Sequence, residues 1–223
     1  QFTCGLGTFN PDTAQSSCTD ASPGHYVDTP ASMSQIACTA GTYNPSTGSS
    51  SAADCLPTDA GNYVPMAGAA EQIPCATGSY QPSFGQTSCI LADPGHYVPA
   101  TSYQNQLECQ LGTFQPYSGA SSCSDAESGH YVDSNGSASQ TDCPPTTYNP
   151  ATGSDDRDDC IDVEPGHYSA EWGTAEHLEC APGTYQPNSG QMSCIDADSG
   201  HFVSSSGAIS QSACTAGTYN PSE

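Results

Sequence analysis

The chain has 223 residues, with 13 Cys, 22 Gly and 18 Pro but only 35% hydrophobic and 8% aromatic residues, too few apolar side chains for one large oily core. Twenty-four acidic residues face a single basic one, Arg157, for a formal charge of −23, which excludes nucleic-acid binding and sets the chain against anionic membranes. No apolar run approaches the roughly 18 residues of a membrane span; with no signal-like segment before Gln1, any export signal or anchor is expected outside this chain.

The cysteines fall at 4, 18, 38, 55, 75, 89, 109, 123, 143, 160, 180, 194 and 214, alternating a gap of 14 or 17 with a constant gap of 20. A finer period emerges when Ala21, Thr58, Ala92, Ala126, Val163 and Ala197 are aligned with every other Cys. Modules of 17 residues then open at 4, 21, 38, 58, 75, 92, 109, 126, 143, 163, 180 and 197, two of them (38 and 143) lengthened to 20. In chain order, residues 1–3 end a preceding module, with Gln1 at its closing site. Residues 4–108 form a first six-module super-repeat, 109–213 repeat it 105 residues on, and 214–223 begin a further, incomplete module. The chain reads as a window on a longer array, without the polar capping units that usually end one.

Within a module the fourth position is Gly from Gly7 to Gly217, with Thr146 the exception. Two residues later stands an unbroken aromatic column: Phe9, Tyr26, Tyr43, Tyr63, Tyr80, Tyr97, Phe114, Tyr131, Tyr148, Tyr168, Tyr185, Phe202 and Tyr219. A second small residue, usually Gly, marks mid-module. Short extended runs between Gly-centred turns predict a β-hairpin in each module, and nothing shows the 3.6-residue period of a long helix. The fold class is therefore small, disulfide-rich and mostly β or irregular: an elongated tandem-repeat solenoid of 17-residue hairpin-like modules, with no globular core. Stacking of each ring on the next module's Gly and ring predicts a narrow aromatic spine in place of that core. Two strands per module at about 4.8 Å each predict a rod on the order of 100 Å long.

Odd modules open and close with Cys and carry Pro two residues after the aromatic, from Pro11 to Pro221. Even modules open with Ala, Thr or Val and close with Gln35, Gln72, Gln106, Gln140, His177 or Gln211. Both cysteines of the pair are thus missing together, and losing one alone would strand a thiol. The expected bridges are Cys4 with Cys18, Cys38 with Cys55, Cys75 with Cys89, Cys109 with Cys123, Cys143 with Cys160, and Cys180 with Cys194, with Cys214 unpaired or bonded outside the chain. The rival register, Cys18 with Cys38 onward, stays open because its spacing is constant. Such cysteine use belongs to an oxidising, extracellular or cell-surface setting.

The odd modules, such as Cys4-Gly5-Leu6-Gly7-Thr8-Phe9 to Cys18 and Cys180-Ala181-Pro182-Gly183-Thr184-Tyr185 to Cys194, resemble the ephrin-receptor-like cysteine-rich repeat and, more distantly, the first modules of tumour-necrosis-factor-receptor cysteine-rich domains. The resemblance covers the whole chain as tandem copies and implies disulfide-stapled hairpins stacked into an ectodomain. It is also one of style with large repetitive surface or filament proteins. Even modules depart from it by lacking both cysteines.

The histidines His25, His96, His130, His167 and His201 recur 34 or 37 residues apart with Asn62 in the remaining slot, a spacing that favours hydrogen bonding or stacking over metal ligation. Asp125 with Glu127, Asp162 with Glu164, and Asp196 with Asp198 flank the starts of even modules. They read first as a solvated, self-repelling surface and second as oxygen ligands for calcium, the one cofactor left open. Asn135-Gly136-Ser137 is the single glycosylation sequon, and Thr47, Ser49 to Ser51 and Ser204 to Ser206 suit O-linked sugar. No serine elbow, closed zinc motif or phosphate loop appears, so an enzyme is not expected. The function read here is a structural extracellular stalk, or the protomer of a filament or surface layer. It would be glycosylated and self-associating head to tail or continuing in a longer chain. The alternative is a ligand-binding ectodomain of an adhesin or receptor, for which Tyr103, Tyr117 and Trp172 are the off-column aromatics.

Overall fold

The computed structural model describes residues 3–12 and 17–218; Gln1, Tyr219 and Pro221, used above, lie outside them. Each module from Cys4 to Ala213 forms one antiparallel hairpin of two residues per strand. In every register given, the position-6 aromatic faces the first residue of the return strand: Phe9 lies opposite Thr19, Tyr26 opposite Ile36, Tyr43 opposite Leu56, Tyr63 opposite Ile73 and Tyr80 opposite Ile90. Left-handed residues at positions 4 and 11 end the strands on either side and keep them short. The three extra residues of the long modules hold 3-10 turns, Ala52–Asp54 and Arg157–Asp159, capped by Ser51 and Asp156. The chain forms two compact units, Gln1–Leu107 with Tyr117–Ser122, and Glu108–Pro116 with Cys123–Glu223.

Within each unit the same four backbone bonds join a module to its successor. In the first unit, Gly7 N–H donates to Val27 O (2.8 Å), Asn10 N–H to Ser32 O (3.0 Å), Ala21 N–H back to Gly7 O (2.8 Å) and Ala31 N–H back to Cys4 O (2.8 Å). In the second, Gly112 donates to Val132 O, Gln115 to Ser137 O, Ala126 to Gly112 O and Gly136 to Cys109 O. At about 1 kcal/mol net for each bond, a junction holds through its main chain with little help from apolar side chains.

The interior is not the expected stack of rings. The buried columns are the opening residue of each module from Cys4 to Cys180 and the residue after the aromatic, such as Val27, Val64, Val98 and Val132. The rings themselves are half-buried, Phe202 is exposed, and no two rings of the column meet among the described residues. The physical reason is the hairpin register. It sets the ring across from the first residue of the return strand, on the flank, while the closely bonded backbones leave only a narrow interior. Odd modules place an amide in the second column and satisfy it. Asn44 Nδ2 donates to Ser49 Oγ (2.8 Å) and His25 O (3.2 Å), and its Oδ1 accepts from Ser46 N–H (3.0 Å). Gln81, in a shorter module, reaches Ser88 O (2.8 Å) and accepts from Ser83 N–H (3.1 Å).

Position 4 also faces the module two places on. A Cβ built on Gly78, at φ 80°, would overlap the carbonyl oxygen of Gly119. Thr146 holds the same left-handed conformation, also at φ 80°, which is unfavourable for a β-branched residue. Gly78→Ala is therefore expected to lower stability by more than about 2 kcal/mol, and Thr146→Gly to raise it by about 0.5–1 kcal/mol. Denaturant unfolding under non-reducing conditions measures both, and equal midpoints for the two variants would contradict the geometry.

Candidate functional site

The chemistry of the array is concentrated where the return strand of each hairpin is tied to the module's opening. In odd modules the tie is covalent: Cys4–Cys18, Cys38–Cys55, Cys75–Cys89, Cys109–Cys123, Cys143–Cys160 and Cys180–Cys194, with Cα atoms 5.6–5.8 Å apart. The partner at the opening is fully buried and the other lies nearer the surface. Cys214 is half-buried and carries no disulfide.

In even modules a side-chain amide does the equivalent work. Gln72 stands where the second Cys would be; its Oε1 accepts the N–H of Asp59 (2.7 Å) and its Nε2 donates to Asp59 Oδ2 (2.7 Å). Gln106 holds Asp93 in the same way at 2.7 and 2.8 Å, Gln140 holds Glu127 at 2.8 and 3.1 Å, and Gln211 holds Asp198 at 2.7 and 2.5 Å. Gln35 accepts from Ser22 N–H at 2.7 Å, the opening there having no carboxylate. Glu127 and Asp198, read from sequence as surface or calcium-binding acids, are thus half of an amide clamp. Their sequence neighbours Asp125 and Asp196, with Asp162, end return strands and are exposed.

The module from Val163 to Glu179 departs from this rule. His177 replaces the clamping Gln, and its Nε2 lies 3.7 Å from Glu164 Oε1, too far for a good hydrogen bond. Its Nδ1 is buried without a hydrogen-bond partner. The ring lies edge-on to Tyr148 (centroids 4.5 Å) and to His167 (4.4 Å). His167 behaves otherwise like three others of its column: Nδ1–H donates to Pro165 O at 3.3 Å, as His25, His96 and His130 donate to Pro23, Pro94 and Ser128. The result is a group of three side chains, Glu164, His167 and His177, whose ligating atoms all lie within 4.8 Å of one another. The sequence pairing of Glu164 with Asp162 passed over this group, although His177 stands out as the one closing residue of an even module that is not Gln.

The remaining predicted positions are dispersed. Asn135 is exposed on the turn before Gly136, accessible for a glycan. Thr47 and Ser204 to Ser206 are also exposed, but Ser49 is not available for sugar: it is buried, with its hydroxyl bound to Asn44. Tyr117 and Trp172 are 75% and 65% exposed, whereas Tyr103 is half-buried and its carbonyl accepts from Gln81. No helix among the described residues is long and apolar enough to cross a membrane.

Residues 166–214 match the family model described as tyrosine-protein kinase ephrin type A/B receptor-like. Over these residues the chain is similar to ephrin-receptor-like cysteine-rich repeats. The match begins at Gly166 in the departing module, spans the Cys180–Cys194 hairpin and ends at Cys214. No relative is found among curated proteins. Six disulfides in tandem hairpins are consistent with such repeats over the rest of the array, and in the even modules an amide clamp stands at the disulfide position.

If clamp and disulfide are geometrically equivalent, the double variant Ala92→Cys, Gln106→Cys will oxidise to a seventh bridge. A loop of this length should add about 3 kcal/mol, while Gln106→Ala alone should cost about 1 kcal/mol. A non-reducing peptide map that left residues 92 and 106 unlinked would show that the two ties need different backbones.

Proposed function

We propose that this extracellular repeat chain is structural: a stalk, or the protomer of a filament or surface layer, continued by further copies of the same module. The observation that carries the reading is the uniformity of the junctions. The same four backbone bonds recur between successive modules of each unit, and the positions that vary are mainly the ties inside each hairpin. Such an array transmits tension through main chain and disulfides, and its stability grows module by module. The charge of −23 keeps neighbouring arrays apart in water, and a glycan on exposed Asn135 would hydrate it further.

A second reading, a ligand-binding ectodomain, draws support from the receptor in the family's description and from exposed Trp172 and Tyr117. The two are separated by removing one odd–even pair, residues 75–108. A structural array should still fold, keep its other five disulfides and shorten by about one sixth in electron micrographs of non-reduced material, since two of twelve modules are gone. Loss of folding, or a particle of unchanged length, would oppose the structural reading. Specific capture of one protein or glycan that depends on Trp172 would favour the second.

A further inference from the structure

We propose that Glu164, His167 and His177 form a binding site for a divalent transition metal, zinc first among them, which ties the hairpin of residues 163–179 as a disulfide or an amide clamp ties the others. Two imidazoles and a carboxylate are a ligand set for zinc and its neighbours, whereas calcium takes oxygen alone. The tautomer of His167 is already set for ligation. Its Nδ1–H is held by Pro165 O, which leaves the Nε2 lone pair free on the side where Glu179 Oε1 lies 4.0 Å away, and a backbone carbonyl behind a ligating imidazole is the usual outer-shell arrangement.

His177 supplies the second, independent sign. In the other five even modules the closing side chain is a Gln that satisfies the opening backbone N–H. Histidine gives up that bond and gains none of comparable quality: Nε2 stops 3.7 Å from Glu164 and Nδ1 is buried unpaired. Both imidazoles are largely sheltered, with side-chain exposures of 18% and 21%, while Glu164 is 52% exposed and free to swing. Metal bonds of 2.0–2.2 Å in tetrahedral geometry put ligand atoms about 3.4 Å apart. The present spread of up to 4.8 Å therefore closes with small side-chain rotations and leaves a fourth position to water or Glu179. Within this one module, positions 2, 5 and 15 converge. An ion there would link the opening of the module to its return strand, which is the connection the substitution otherwise loosens.

The test uses the full oxidised chain, stripped with EDTA and titrated with zinc chloride by calorimetry in excess calcium, added to compete for any sites made of oxygen ligands alone. One site per chain is expected. His177→Gln installs the residue that folds in the other even modules, and it should weaken zinc binding by at least about tenfold while leaving the disulfide map intact. Glu164→Gln should weaken it as well, and His96→Gln should leave it unchanged. Cobalt in place of zinc should give the intense visible absorption of a four-coordinate site, lost in His177→Gln. Equal zinc affinity in the wild-type and His177→Gln chains, or no zinc uptake by the wild-type chain, would overturn the proposal.

Discussion

Everything in this chain depends on a residue that can sit left-handed at the fourth position of each module. At Gly7 the N–H points forward to Val27 O and the carbonyl receives the N–H of Ala21, so one residue supplies half of the junction. Its φ of 77° turns both groups toward the next module, and the missing Cβ lets the module two places on come close, as a side chain at Gly78 would collide with Gly119. A right-handed residue would turn these groups elsewhere and strand several buried polar atoms together. The array is therefore built from its main chain outward. That resolves the apparent conflict between 35% hydrophobic content and an ordered fold: a narrow interior is filled by Cys, Ala, Thr and Val together with hydrogen-bonded amides such as Asn44 and Gln81, and the peptide groups supply the rest.

With so little apolar burial, each hairpin needs a tie of its own, because an isolated two-stranded hairpin is marginal in water. Odd modules use a disulfide, which limits the unfolded chain. Even modules use Gln72, Gln106, Gln140 or Gln211 on the carboxylate and amide of the opening, and Gln35 on the amide alone. These ties differ in kind. The first resists heat and fails on reduction, while the second survives reduction and is weak, being exposed to water. Alternation spaces the strong ties at every second module, so that each clamp has a disulfide-closed hairpin as its neighbour along the chain.

Much of this was legible in sequence because it is encoded as strict period. The module length, the turn glycines and the joint loss of both cysteines in even modules all appear as columns. The clamp was half visible: Gln was seen to occupy the closing site, but its partner at position 2 varies among Ser22, Asp59, Asp93, Glu127, Glu164 and Asp198, and only folding brings residues 13 apart into hydrogen bonding. The aromatic column misled for the opposite reason. Invariance was read as burial, yet Tyr26 and Tyr43 are invariant in kind through their place opposite Ile36 and Leu56 on the flank. Ser49, read as a glycan acceptor in a polar loop, is the internal partner of Asn44.

The same frame gives irregularities their meaning. In a periodic array, a substitution that merely drifts should preserve the local bonds or lose them without compensation. Ala31 and Ser102 are of the first sort, since both keep φ near 60° where Gly is usual and both still donate to the preceding module's opening carbonyl. His177 is not, because it abandons the amide clamp and at the same time brings a second imidazole beside His167 and a carboxylate within reach. Neighbouring changes accompany it: Ser169 stands where Val is the rule in even modules and binds Thr174 Oγ1 at 2.8 Å, and Thr174 in turn donates to Thr147 O. The module has thus been rebuilt with polar contacts on its inner side as well as at its tie. A chain whose other modules vary so little concentrates its chemical difference here, and the difference consists of groups that ligate metals.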